Sequence, residues 1–589
     1  MRALLIALLA VAFVRCTPEP EPTKSTGVGG ATARAARAPQ PLYGGTVTVS
    51  TDGKTVLVSD PDRDRLYLVN LSSTRVDSRV ELTEGSVPVR AADDGAGHFA
   101  VALRGTGKVA FIDQTNGTIL NEFAVCPEPR GVSRSAPGQV LVACATGELV
   151  TLSSTGESTT EVLGLEGRDV VTTTAGTFVS AFRSAELLDV ATATLQRPPD
   201  VSTSAVTGFE PQVAWRTLAA PSGAIVMVHQ LERTGDVPLA RPTPTPGMPS
   251  PSSPYGGSST TASPCPEPVI RSGVTVFSQG TTRTFEVPGV LPVDAALSPA
   301  GDVLVVASAG NHELTTVDVS TPAAVTRCGP TNQPPKVQGQ QLPLEQPMGV
   351  AFTPTGELLV HYRVPHALVI RNRSGAESTR LILTTDQLDP LGHRLFHTAT
   401  GAIACASCHP EGHEDGHVWK VGGTVRRTQQ LSGGLLATAP FHWKGDLTSL
   451  SAVMQETFVS RMGGTMPSSA AVDDLGRFLD GLSAPKAPTR MVPAPVVAGR
   501  AAFEKAGCDA CHAGDKLGSN ATTTIGRIEA LQVPSLVGLA RRGPWMHDGC
   551  AKTLRQRFTD TTCGGTDHGD VGQLEPAELD DLVAWLETR

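Results

Sequence analysis

Ala300-Gly301-Asp302-Val303-Leu304-Val305-Val306-Ala307 is a glycine turn that runs straight into a β-branched strand. The arrangement occurs six more times. Asp52-Gly53 precedes Val56-Leu57-Val58-Ser59, and Ala96-Gly97 precedes Phe99-Ala100-Val101-Ala102. Pro137-Gly138, Ala175-Gly176, Ser222-Gly223 and Thr355-Gly356 precede strands starting at Val140, Phe178, Ile225 and Leu358. Glycine supplies the positive φ of a tight turn, and β-branched residues fit a half-buried pleated surface. Several strands lead into a second one, as in Arg65-Leu66-Tyr67-Leu68-Val69 and Lys108-Val109-Ala110-Phe111-Ile112-Asp113. The first five turns recur at roughly 40 residues, the period of a four-stranded propeller blade. Seven turns predict an all-β, seven-bladed propeller over 43–385, with insertions near 233–270 and 328–346.

The texture then changes to helix, loop and helix, twice, over 386–485 and 494–589. Each half carries a C-x-x-C-H run, Cys405-Ala406-Ser407-Cys408-His409 and Cys508-Asp509-Ala510-Cys511-His512. This is the attachment signature of c-type haem. Two thiols three residues apart form thioethers to the two vinyl groups, and the adjacent histidine ligates the iron. The alternative for a single run is a redox dithiol or half a zinc site. Two copies 103 residues apart argue against it. The fold class expected is therefore multidomain, a propeller followed by a mainly α tandem cytochrome c module with two covalent haems c.

Each half should end in an amphipathic helix, at Val472 to Leu479 and at Glu578 to Leu586, with apolar residues recurring at three and four. Helices leading into the haem runs are expected at Gly392 to Phe396 and at Gly499 to Lys505. Pro485, Pro488, Pro493 and Pro495 mark the linker.

The repeated turn, the LVVA-type strand and the following V-x-D strand resemble the YVTN and lactonase-like β-propellers. Asp60, Asp62 and Asp64 alternate in one loop. Such a cluster can hold a cation, but the commoner reading is a solvated hairpin turn. His98, His229, His312 and His361 follow no ligand spacing, so the propeller reads as a scaffold or docking surface.

Ala439-Pro440-Phe441-His442-Trp443-Lys444-Gly445-Asp446 and Gly543-Pro544-Trp545-Met546-His547-Asp548-Gly549 mark an internal duplication. Together with the tandem C-x-x-C-H runs they resemble the bacterial dihaem cytochrome c peroxidases and MauG-like enzymes. The resemblance covers roughly the last 200 residues. It implies proximal ligands His409 and His512, and a sixth ligand, where present, from the loop before the last helix of each half. In the first half that loop offers Met462 and Met466. Met462 is favoured because it lies 20 residues after His442, as His568 lies 21 after His547. In the second half His568 is the candidate, with Met546 and His547 as rivals. A peroxidase needs an open iron and acid–base groups, for which His442, Glu456 and His547 are candidates.

At the N-terminus Arg2 and the apolar run Ala3 to Val14 read as a signal segment over 1–16. Cys16 makes it a candidate lipoprotein, although Arg15 is unlike the small residue usual before a lipidated cysteine. Residues 17–42 read as a tether. Export to a bacterial periplasm or cell surface, with a membrane tether through Cys16, fits the haem reading. Of 11 cysteines, those outside the leader and haem runs suggest the pairs Cys126–Cys144, Cys265–Cys328 and Cys550–Cys563. The net charge of −9 and the lack of a Lys/Arg cluster exclude a nucleic-acid partner.

Three functions follow. One is electron transfer with redox partner proteins. The second is a dihaem peroxidase-type oxidoreductase acting on hydrogen peroxide, and the third a propeller-based surface binding module.

Overall fold

The computed structural model describes residues 38–202, 208–237, 268–278, 280–322, 343–386, 388–488, 496–525, 528–563 and 568–589. Cys16, Cys265 and Cys328 lie outside them. Seven antiparallel sheets of consecutive strands occupy 47–81, 88–124, 129–162, 167–196, 201–287, 292–318 and 345–382. These are the blades of a seven-bladed propeller. The second strands carry the LVVA-type runs and are almost wholly buried, as in Val303–Ser308. Apolar clusters fill the spaces between neighbouring blades, such as Phe99, Val101 and Ile112 against Leu57 and Leu68.

Antiparallel order sends the repeated glycine turns, which join first to second strands, to one face. The turns joining second to third strands and the links between blades lie on the other. The C-terminal region sits on that second face. Gly310 and Arg183 follow second strands, Glu166 and Glu128 precede first strands, and all four bond to residues beyond 398.

Among the described residues the C-terminal chain adds no strand to blade 1, so the ring closes through side chains. Thr46 Oγ1 lies 2.7 Å from His361 Nδ1, and His361 Nε2 lies 3.1 Å from His366 Nδ1. His366 Nε2 in turn is 3.1 Å from Asp60. Arg363 of blade 7 pairs with Asp62 of blade 1 at 2.8 Å. The expected solvated turn at Asp60, Asp62 and Asp64 is thus corrected. All three are buried, and they serve as acceptors for that seam and for the backbone N–H groups of Gly85 and Val87.

Beyond the propeller the described residues form seven α-helices: α1 (Leu391–His397), α2 (Cys405–Cys408), α3 (Leu450–Val453), α4 (Ser469–Asp480), α5 (Val496–Lys505), α6 (Leu554–Thr559) and α7 (Pro576–Leu586). α1 packs on α4, and α5 on α7. Both crossings need a glycine. A Cβ on Gly392 would lie 2.3 Å from the Leu475 backbone nitrogen, and one on Gly499 would lie 2.3 Å from the Asp581 carbonyl oxygen. Two hairpins, Val418–Val421 with Thr424–Arg427 and Thr522–Ile525 with Ile528–Gln532, are additions that no periodicity announced.

The seam makes the fold acid-sensitive. Burial pushes the His361 imidazole down to about 3 and His229 to about 4, and lowers His366, His393 and His397. Between about pH 6.5 and those values the unfolded chain binds protons that the folded chain refuses, so stability falls as pH falls. Burial raises Asp60 and Asp415 to about 6 and also raises Glu232 and Asp294, which acts in the opposite sense, whereas buried arginines hold Glu128, Glu166 and Glu411 well down and so add to the acid sensitivity. The thermal midpoint should drop steadily from pH 7 to pH 4. His361→Asn should flatten that drop while losing about 1–3 kcal/mol at pH 7.

Candidate functional site

The second half encloses a cavity of about 310 Å³. Its apolar wall comes from Phe503 on α5, Leu554 and Phe558 on α6, Leu586 on α7 and Trp545. Cys508 and Cys511 line it, and both are free thiols. His512 and His568 face each other across it with ring centres 6.2 Å apart. With metal–imidazole bonds of about 2 Å, that separation would let both rings hold one metal ion.

The rings are oriented from behind. His512 Nδ1 donates to the Leu517 carbonyl at 3.0 Å, which leaves Nε2 for the cavity. Arg557 approaches His568 Nδ1 at 3.2 Å and donates to its carbonyl at 2.6 Å. His568 would hold a metal through Nε2 with its ring proton on Nδ1, and Arg557 would then keep only the carbonyl bond. Burial lowers both imidazoles, His568 to about 3 with help from Arg557 and His512. Both are therefore neutral, the form a metal binds. The Cys550–Cys563 disulfide closes the loop that carries α6.

A c-type haem fits these residues. Cys508 and Cys511 would take the two vinyl groups, His512 would bind the iron with His568 within reach of it, and nearby arginines would face the carboxylates. Arg427 and Arg542 line the cavity and are buried, and they share a single buried carboxylate, Glu414, so one positive charge is left over between them. Residues 496–589 match the cytochrome c family. The last domain is a cytochrome c.

No curated protein matches the chain. Among solved structures it is similar to a hydrazine synthase chain from Kuenenia stuttgartiensis. That match has 16% identity and a TM-score of 0.42, and covers 59% of this chain and 100% of that one. A dihydro-heme d1 dehydrogenase, NirN, matches at 16% identity and TM-score 0.33, over 58% of this chain and 66% of its own. A virginiamycin B lyase from Staphylococcus aureus matches at 11% identity and TM-score 0.29, over 61% and 89%.

The first half repeats the plan. Phe441 pairs with Leu447 as Trp545 pairs with Ala551, and His442 and Met546 both have positive φ, each pair offset by 104. The backbone therefore aligns His442 with Met546, and Trp443 with His547. The sequence-based pairing of His442 with His547 is corrected by one residue, because like side chains sit at unlike positions. His409 Nδ1 donates to the His413 carbonyl at 3.2 Å, as His512 does to Leu517. Burial pushes the His409 imidazole down to about 4.

Met462 is buried in the cluster that holds Cys405, Cys408, Phe396, Phe458 and Phe478. Met466 is 41% exposed. His442 lies 3.7 Å from Asp446, and Glu456 pairs with Arg461 at 2.9 Å. Met546 and His547 line the second cavity, and His547 Nδ1 is buried without a partner.

Sequence reasoning missed that the first half helps build the second cavity. Trp443 and Arg427 both line it. Trp443 Nε1 donates to the Arg427 carbonyl at 2.8 Å, and Arg427 Nη1 holds Glu414 at 2.8 and 2.9 Å. The aligned Pro-aromatic segments were the available signal, since a tryptophan stands where the second half has His547.

Replacing Gly499 by alanine should force α5 off α7 and cost about 1–3 kcal/mol. Thermal unfolding of the haem-loaded protein followed in the Soret band checks it.

Proposed function

We propose that the chain is an exported dihaem c-type cytochrome that passes single electrons between two irons, each closed by two protein ligands. The observation that carries the reading is the His512–His568 pair, 6.2 Å apart across a cavity lined by both thiols. The haem-bound iron supplies the one-electron chemistry. The chain's own residues attach it, orient its ligands and exclude water.

In the first half Cys405, Cys408 and His409 take the same roles, and Met462 is the proposed sixth ligand. Met462 is buried in the same apolar cluster as Cys405 and Cys408, which keeps its thioether out of water, whereas Met466 is exposed. A His/Met iron has a higher potential than a bis-His iron. Electrons would therefore rest on the first half and pass through the second.

Trp443, a first-half ring in the wall of the second cavity, supports transfer between the halves. The disulfides Cys126–Cys144 and Cys550–Cys563 support export to an oxidising compartment, with Cys16 as the proposed membrane tether. The partners are then redox proteins that dock on the cytochrome halves.

Intact-mass measurement should find two haems on the wild-type chain and one on either Cys405→Ser or Cys508→Ser. Retention of both haems in either variant contradicts the attachment sites. His568→Ala should turn one low-spin haem spectrum high-spin, and an unchanged spectrum removes His568 as ligand.

A further inference from the structure

Where the first strands of blades 2, 3 and 4 reach the cytochrome face, four arginines surround a cavity of about 10 Å³. Arg90, Arg104, Arg130 and Arg168 line it together with Tyr43 and Val89. Their side chains are 4%, 7%, 1% and 2% exposed. A cavity of this size takes one water-sized occupant.

The charges around it do not balance. Ion pairs join Arg104, Arg130, Arg168, Arg183 and Arg541 to Glu128, Glu166 and Glu411. Five cations against three carboxylates leave a surplus of two positive charges. Arg90 belongs to an adjoining set that balances, two against two, with Arg216, Asp169 and Asp294. Lys486 adds a further ammonium at the edge, where it donates to the Gly105 and Pro127 carbonyls.

Aromatic faces offset part of the surplus. Arg130 and Arg168 lie over Phe182 at 4.3 and 4.7 Å, and Arg104 lies over Tyr43 at 4.2 Å. They supply no anion. The Nε atoms of Arg90 and Arg130 are buried with no hydrogen-bond partner. Burial also lowers these two guanidiniums, to about 9 and about 10, despite their carboxylate neighbours. Uncompensated buried charge is costly, and an anion is the group that relieves it.

We propose that this cavity binds one small monovalent anion, a halide such as chloride, held by Arg90, Arg104, Arg130 and Arg168. The volume excludes phosphate, sulfate and carboxylate metabolites. The anion would share Arg104, Arg130 and Arg168 with Glu411, so its occupancy would strengthen the seat of the cytochrome region on the propeller. The inference is independent of the haem reading.

The test uses the full-length, haem-loaded protein exchanged into sodium methanesulfonate. Sodium chloride then replaces methanesulfonate at constant ionic strength. The thermal midpoint should rise and saturate as one-site binding requires, bromide should act likewise, and sulfate should not. A crystal grown in bromide should show an anomalous peak among the four arginines. Equal midpoints in chloride and methanesulfonate, or a cavity holding only water in bromide, would overturn the proposal.

Discussion

Glu411 has a fully buried side chain and three guanidiniums around it. Burial alone would push its carboxyl up, but Arg104, Arg168 and Arg130 outweigh that and hold it well below the usual carboxylate range. The arginines belong to blades 2, 3 and 4, and the glutamate lies two residues after His409. Removing one partner of such a set leaves unpaired charge in the interior, typically at several kcal/mol. Arg541 of the second half enters the same set through Glu128 and Glu166. Both C-terminal halves are thereby seated on one propeller face, and the propeller is their common base.

The duplication within the C-terminal region is legible in its backbone and altered in its side chains. The haem runs are offset by 103, the Pro-aromatic segments by 104, and Gly392 and Gly499, where the helices cross, by 107. The first half takes four more residues to pass from its glycine to its first cysteine. Its C-x-x-C turn is gripped by the propeller, where Gln230 donates to the Ser407 carbonyl at 2.8 Å. The second half instead takes Arg427 and Trp443 from its neighbour. One half is fitted to the propeller and the other to its twin, so the two halves are not interchangeable.

Much of the fold was readable because each repeat carries a local signal. Glycine turns before β-branched strands yielded seven blades, and period-three-and-four apolar residues located α4 and α7. The two C-x-x-C-H runs were legible as candidate haem sites because attachment chemistry sets their spacing. What was not readable depends on distant partners. The Asp60, Asp62 and Asp64 loop looks solvated until Arg363 and His366, about 300 residues later, are folded onto it. The roles of Arg427 and Glu411 are equally invisible, since an isolated charge in a loop carries no mark of the buried cation or carboxylate that it meets.

The account turns on whether both irons are closed by protein ligands. Low-temperature EPR of the purified protein, fully oxidised and then half-reduced, tests this directly. Two low-spin signals in the oxidised state, with the remaining ferric haem still low-spin after half-reduction, are the predicted result. A high-spin signal at rest, or one appearing on half-reduction, would mean an open iron. That would contradict the electron-carrier account in favour of peroxide chemistry.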